Sequence, residues 1–150
     1  MPTLTRTGTV KFDREVDSSA LLEHLAKRLT DVHATDVRIQ GNGVTFEAGI
    51  FRFVTNWNLL LSFGSGELTV DPARRTIQYE LSYSQLVSFS AIAFLVGALV
   101  LVGYPEVAWL MLVMPFVWLF MVWSNVAIGI LRFENFLRRA IETVPALSTS

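Results

Sequence analysis

The fold class is decided by residues 86–131, which read LVSFSAIAFLVGALVLVGYPEVAWLMLVMPFVWLFMVWSNVAIGIL. No Asp, Glu, Lys or Arg occurs between Glu80 and Glu106, or between Glu106 and Arg132, so each uncharged run is 25 residues long. A helix of that length measures about 37 Å at about 1.5 Å per residue, which exceeds the about 30 Å hydrocarbon core of a bilayer. The stretch therefore predicts two membrane-spanning helices.

The connection between the two predicted spans is short. The first span covers about 86–102 and the second about 107–131, which leaves only Gly103-Tyr104-Pro105-Glu106 between them. Two helices joined by so few residues must be antiparallel neighbours, so we expect a hairpin whose ends lie on one side of the membrane. Arginines flank the hairpin and are absent from its turn: Arg74 and Arg75 before it, and Arg132, Arg138 and Arg139 after it. By the positive-inside rule, both termini are predicted to be cytoplasmic.

The rest of the chain has the composition of a small soluble domain. Residues 1–85 hold nine of the 12 Lys and Arg and ten of the 13 Asp and Glu. This near balance gives no basic field, which argues against a nucleic-acid partner. The chain has no cysteine, which excludes disulfides, thiolate zinc sites and thiol catalysis.

Hydrophobic periodicity predicts an α+β fold in residues 1–85. Alternation over Leu4–Phe12 indicates a strand, and an apolar stripe from Leu21 to Leu29, capped by Asp17 or Ser18, indicates a helix. Further strands are predicted around these residues: Val37 and Ile39, Val44 to Ile50, Trp57 to Phe63, Glu67 to Val70, and Ile77 to Tyr83. The predicted order is β-α-β-β-β-β-β, a small and mostly antiparallel sheet with one helix.

The segment after the hairpin, 132–144, has a second amphipathic pattern. Phe133, Phe136, Leu137, Ala140, Ile141 and Val144 recur at helical spacing. We predict a juxtamembrane amphipathic helix that ends before Pro145 and is followed by a disordered tail over 145–150. Its apolar face could dock a partner, lie in the membrane interface, or pack on the chain's own domain, and the sequence leaves these alternatives open.

Small and polar residues mark a packing face inside the hairpin. Ser90, Ala93 and Gly97 share one face of the first span, and Asn125 and Gly129 lie four apart on the second. Such residues let helix backbones approach and can form hydrogen bonds between helices, so they predict contact within the hairpin or a seam between copies. No ionisable residue accompanies Asn125, which argues against a transport pathway.

No pattern indicates catalysis, a metal site or a cofactor. His24 falls on the polar face of the predicted helix and His33 in a loop, and the spacing of Asp31 and Asp36 around His33 matches no known ligand set. Gly64-Ser65-Gly66 precedes a strand rather than the Lys and helix of a phosphate-binding loop. The sequence therefore predicts a protein that is not an enzyme.

The layout, on architecture alone, resembles that of small bacterial membrane proteins. It predicts an interaction or accessory subunit that is oligomeric or part of a larger assembly, with the lipid bilayer and either itself or a larger membrane protein as partners. The alternative is a membrane-anchored binding module for a lipid-like or other apolar ligand held between the sheet and a helix. Aromatic residues of both parities, Phe46, Phe51, Phe53, Trp57 and Phe63, suggest apolar groups on both faces of the sheet.

Overall fold

The computed structural model describes residues 4–13, 16–48, 63–104, 106 and 109–144. In this part of the chain, five antiparallel strands form one sheet in the order β1-β5-β4-β3-β2. The strands are β1 (Thr5–Lys11), β2 (Thr35–Gln40), β3 (Gly43–Glu47), β4 (Ser65–Asp71) and β5 (Thr76–Ser82). The first strand pairs with the last, so β1 and β2 form the two edges of the sheet.

Helix α1 (Ser18–Asp31) connects the two edge strands and packs on the sheet. Its start is fixed by Asp17, whose Oδ1 accepts a hydrogen bond of 3.1 Å from the backbone N–H of Ser19. Its end is a Schellman motif, in which the N–H of Ala34 donates to Leu29 O and the N–H of His33 donates to Thr30 O. His33 takes the left-handed conformation of this motif, with φ of 66°.

The turn between β2 and β3 is built on Gly41 and Asn42. Between β2 and β3, Gly41 has φ of 59°, which an L side chain rarely adopts. Asn42 then ties this turn to β4, because its backbone carbonyl accepts from Val70 N at 2.9 Å and its Nδ2 donates to Val70 O at 3.2 Å. The turn is therefore held by the sheet as well as by its own geometry.

Two long apolar helices complete the described structure. Helix α2 (Ser84–Val102) begins two residues after β5 ends, and helix α3 (Leu110–Glu142) has 33 residues and continues through Pro115. Both are long and apolar enough to cross a membrane. The amphipathic helix predicted over 132–144 forms the last part of α3, which runs through Leu131 and Arg132 without a break and ends at Glu142.

The hydrophobic core lies between one face of the sheet, α1 and the last part of α3. Its fully buried side chains include Leu21, Leu25 and Leu29 of α1 and Leu68 and Ile77 of the sheet. The α+β class is confirmed, and the strand predicted over Trp57 to Phe63 lies outside the described residues except for Phe63.

Candidate functional site

The last part of α3, residues 132–142, is called here the core half, and residues 110–131 the apolar half. Phe133 is the centre of the core half and has no solvent exposure. Its ring centroid lies 6.0 Å from Phe46, 5.9 Å from Phe63 and 5.7 Å from Tyr79, the latter two edge-to-face. One helix that is long enough to cross a membrane thus supplies the central side chain of the adjacent domain.

The predicted docking face of the tail lies on the chain's own domain. Phe133, Leu137 and Ala140 are completely buried and Ile141 is 7% exposed, while Phe136 is partly buried and stacks on Phe133 at 6.0 Å. Of the three alternatives left open by the sequence, the structure therefore has packing on the domain. A partner cannot use this face unless the core opens.

A polar contact joins the core half of α3 to the sheet. The Tyr79 hydroxyl donates to Glu134 Oε1 at 2.5 Å. Burial of the ring, the hydrogen bond to Glu134 and the negative charge of that carboxylate all raise the pKa of Tyr79. The ring lies directly over Gly8 of β1, where a Cβ would come within 2.2 Å of the Tyr79 ring and hydroxyl. Because Gly8 has no side chain, the Tyr79 ring can lie over β1 and its hydroxyl can reach Glu134 on α3.

A second contact joins α1 to the end of α3. His24 Nε2 lies 3.0 Å from Thr143 Oγ1, and the Thr143 hydroxyl is also 3.0 Å from the carbonyl oxygen of Ala140. The Thr143 hydroxyl also lies 3.1 Å from the carbonyl oxygen of Arg139, and the tautomer of His24 decides which of the two side chains donates. Burial, followed by the positive charges of Arg28 and Lys27, lowers the pKa of His24. The partner of His24 is thus Thr143. His33 lies just after α1, in the Schellman motif, and is not part of this contact.

A groove of about 390 Å³ runs between α2 and the apolar half of α3. Three of the five predicted helix-packing residues, Ser90, Ala93 and Asn125, line it. Gly97 faces the other helix, since a Cβ there would lie 3.4 Å from Met114 Cε, and Gly129 is buried. Four of the five residues therefore lie where α2 and α3 face each other, and their role in helix packing, within the hairpin or between copies, stays a prediction.

The polar groups in this groove bond to their own helices. Ser90 Oγ donates to Val87 O at 3.0 Å, and Asn125 Nδ2 donates to Met121 O at 2.9 Å. Apolar groups contact each other between the helices, as in Phe94 and Trp118, whose ring centroids lie 5.7 Å apart. The groove is otherwise lined by these apolar side chains: Leu86, Leu110, Val113, Met114, Val117, Met121 and Val122.

The face of the sheet opposite the helices, called here the open face, is uncovered in the described residues. Glu67 and Glu80 lie on it as direct register partners in β4 and β5, and Glu47 lies on β3 beside Ser65. Sequence reasoning did not single out this surface, and its expectation of apolar groups on both faces rests on Phe51, Phe53 and Trp57, which lie outside the described residues. The alternation of β5 places Tyr79 and Leu81 in the core and Glu80 on the opposite face, so the sequence does indicate that Glu80 is exposed. Only the pairing of β4 with β5 brings Glu67 beside Glu80.

Among the described residues, no group of three or more His, Cys, Asp or Glu side chains is arranged to hold a metal ion. The candidate sites are therefore surfaces: the core half of α3, the α2/α3 groove and the open face. No family model matches the chain, and neither a curated protein nor a solved structure does. Its function has to be inferred from the geometry of these surfaces.

Proposed function

We propose that this chain is a two-span membrane protein with both termini and its α+β domain in the cytoplasm, acting as a non-enzymatic interaction or accessory subunit. The observation that carries this is the continuity of α3 from an apolar half into the core of the domain. A cytoplasmic domain that shares a helix with its anchor cannot swing on a linker. It is held at a fixed height and orientation, which suits contact with a neighbour in the same membrane.

The exposure of the two apolar helices supports the membrane role. Helix α2 has a mean hydropathy of 2.3 and no buried residue in its most apolar window, and its large side chains, such as Leu99 at 73% exposed, face outward. In water such a surface would drive aggregation, whereas in lipid it is solvated. A lipid environment would thus explain both the absence of charge and the outward-facing apolar groups.

The topology is tested by single-cysteine labelling. Because the chain contains no cysteine, Gln78→Cys on the domain and Tyr104→Cys in the turn each introduce one thiol. In intact cells, a membrane-impermeant maleimide should label Tyr104→Cys and leave Gln78→Cys unlabelled until the membrane is opened. The reverse pattern would place the domain outside the cytoplasm.

The accessory role is tested by extracting a tagged chain from its native membrane in mild detergent and identifying what elutes with it. We expect a stoichiometric membrane protein or a defined oligomer. A monomer without a protein partner would contradict the proposal.

A second candidate function, the binding of a lipid-like or other apolar ligand, is favoured by the α2/α3 groove. The groove extends from Leu110 to Asn125 along α3, which is about 22 Å at about 1.5 Å per residue. The sheet and the helices beside it are packed against each other around Phe133. We therefore propose the hairpin, rather than the domain favoured by the sequence, as the place for such a ligand.

This second candidate is tested by mass spectrometry of molecules retained after purification. Ala93→Phe would fill the groove, whereas Val96→Phe places the same ring on the exposed side of α2. Loss of a retained species from Ala93→Phe alone would support ligand binding. Equal retention of the species by both variants would contradict ligand binding in the groove.

A further inference from the structure

The open face of the sheet carries negative charge that the described structure leaves uncompensated. Glu67 and Glu80 are direct cross-strand partners, an arrangement in which like charges destabilise a sheet. The described ion pairs involve other residues, Arg38 with Asp36 and Arg74 with Asp71. A shallow groove of about 390 Å³ on this face is lined by Glu47, Glu67 and Glu80, and Arg38, its cationic lining residue, is held by Asp36 at 2.7 Å.

The acidic groove lies at the end of the sheet from which the chain enters α2. Ser82, the last residue of β5, pairs with Ser65, which pairs with Glu47 on β3. Glu67 and Glu80 lie two residues further along their strands, about 7 Å away at about 3.3 Å per residue. Since α2 begins at Ser84, all three carboxylates lie within a few residues of the proposed membrane surface.

Charge decides which occupant suits this position. An anionic bilayer surface would be repelled, and a symmetric pairing of two open faces would bring Glu67 and Glu80 against their copies. The cytoplasmic segments that flank the spans of membrane proteins are enriched in Lys and Arg, and they lie at this height. Resting on the proposed function, we infer that the open face docks a lysine- or arginine-rich juxtamembrane segment of a neighbouring membrane protein.

The inference is tested with the full chain in nanodiscs of zwitterionic phosphatidylcholine, so that the lipid itself attracts no cation. The probe is a fluorescent peptide of alternating lysine and serine, followed by anisotropy. The double variant E67Q/E80Q should weaken binding about tenfold, as expected for two exposed charge pairs acting together. Raising the salt concentration should weaken binding to the wild type far more than to the variant.

The matched control is E23Q/D31N, which removes two exposed negative charges from α1 on the opposite layer. It should change the affinity less than about twofold, because the screened charges of the helix layer lie far from the groove. Equal weakening by both double variants would show a response to net charge alone, and absence of binding to the wild type would also overturn the inference. Because E67Q/E80Q relieves a like-charge pair, it should unfold no more easily than the wild type, which separates lost binding from lost folding.

Extraction from native membranes separates this inference from the proposed function. If a protein partner elutes with the wild type but is lost from E67Q/E80Q, both stand. If the partner is retained by E67Q/E80Q, the accessory role stands and the open face is not its docking surface. If the wild type elutes as a monomer alone, the accessory role itself is wrong.

Discussion

The two halves of α3 place the same type of side chain in opposite environments. Phe116 and Phe120 in the apolar half are 72% and 68% exposed, whereas Phe133, in the core half, is fully buried. All three belong to one helix of 33 residues. The difference arises from the residues around them, since the apolar half is hydrophobic on every side and the core half has a single apolar stripe with Arg138, Arg139 and Glu142 outside it.

If the apolar half lies in a bilayer, as proposed, this contrast lets one helix suit two solvents. A helix that is apolar all round is stable where every side meets lipid or protein, and a helix with one stripe is stable where the other side meets water. The transition occurs near Arg132 without a break in the backbone hydrogen bonds. The mechanical consequence is that a displacement of the apolar half would be transmitted directly to the sheet.

The largest effect is expected when Phe133, the buried side chain of this comparison, is truncated. Phe133→Ala removes a ring that contacts Phe46, Phe63 and Tyr79, and should lower the free energy of unfolding of the domain by about 3–5 kcal/mol. Phe120→Ala removes the same atoms from an exposed position and should leave the domain unchanged. Pulse proteolysis in urea, in mild detergent, measures both.

Phe133→Leu keeps the variant measurable if the alanine variant does not fold. Leucine retains most of the apolar volume, so its cost should be smaller than that of alanine, at about 1–2 kcal/mol. A domain equally stable in the Phe133 and Phe120 variants would show that the core half does not pack on the sheet.

The next effect concerns the hydrogen bond from Tyr79 to Glu134. Tyr79→Phe leaves the packing of the ring and removes the hydroxyl, and should cost about 1–3 kcal/mol at neutral pH because the acceptor is charged. The same proteolysis assay measures it. Tyr104→Phe, in the exposed turn, is the control and should cost nothing measurable.

The pH dependence of this contact has a definite sign. Folding raises the pKa of Tyr79 above its ordinary value near 10, so the folded state keeps the proton that the unfolded state releases. The contribution is therefore complete below pH 10 and is lost as the pH rises beyond it. Tyr79→Phe should show a shallower loss of stability in alkali than the wild type, and identical slopes would contradict the assigned environment.

A smaller effect is expected at His24, where α1 meets the end of α3. Folding lowers the pKa of His24, so its contribution is present above about pH 6.5, the ordinary value, and is lost as the pH falls through it. The loss should be below about 1 kcal/mol, since the site is near the surface. His24→Gln should remove this acid dependence in thermal unfolding monitored by circular dichroism, and His33→Gln serves as the comparison histidine.

The smallest effect is expected in the apolar half of the structure. Ser90 donates to a carbonyl of its own helix, so Ser90→Ala loses no contact between α2 and α3 and should shift stability by less than about 0.5 kcal/mol. Thermal stability of the hairpin in detergent measures this change. A large loss of stability would mean that Ser90 forms a hydrogen bond to α3. The Ser90→Ala and Tyr79→Phe variants would then no longer differ in the type of contact they remove.

Local patterns predicted most of the elements. The stripe of Leu21, Leu25 and Leu29 predicted α1, Asp17 was one of the two caps named for it, and the alternation from Ile77 to Tyr83 predicted β5. The Gly41-Asn42 turn was likewise predictable, because positive φ favours glycine. These signals depend only on neighbours in sequence, which is why they can be read without a structure.

The partners of these elements could not be predicted in the same way. The pairing of β1 with β5 and the assembly of Phe133 with Phe46, Phe63 and Tyr79 join residues far apart in sequence. An apolar stripe indicates that a helix face will be buried but contains no information about what covers it. The docking alternatives for the tail therefore stayed open until the position of the sheet beside it was known.

The sequence by itself determined that this protein has an α+β domain and two helices long and apolar enough to span a membrane, because hydrophobic period and uncharged length are local properties of a chain. Only the tertiary structure decided that the second of those helices also completes the domain core, and that Glu67 and Glu80 meet on an open face. Both results depend on strand order and register, which are set by the burial of residues distant in sequence.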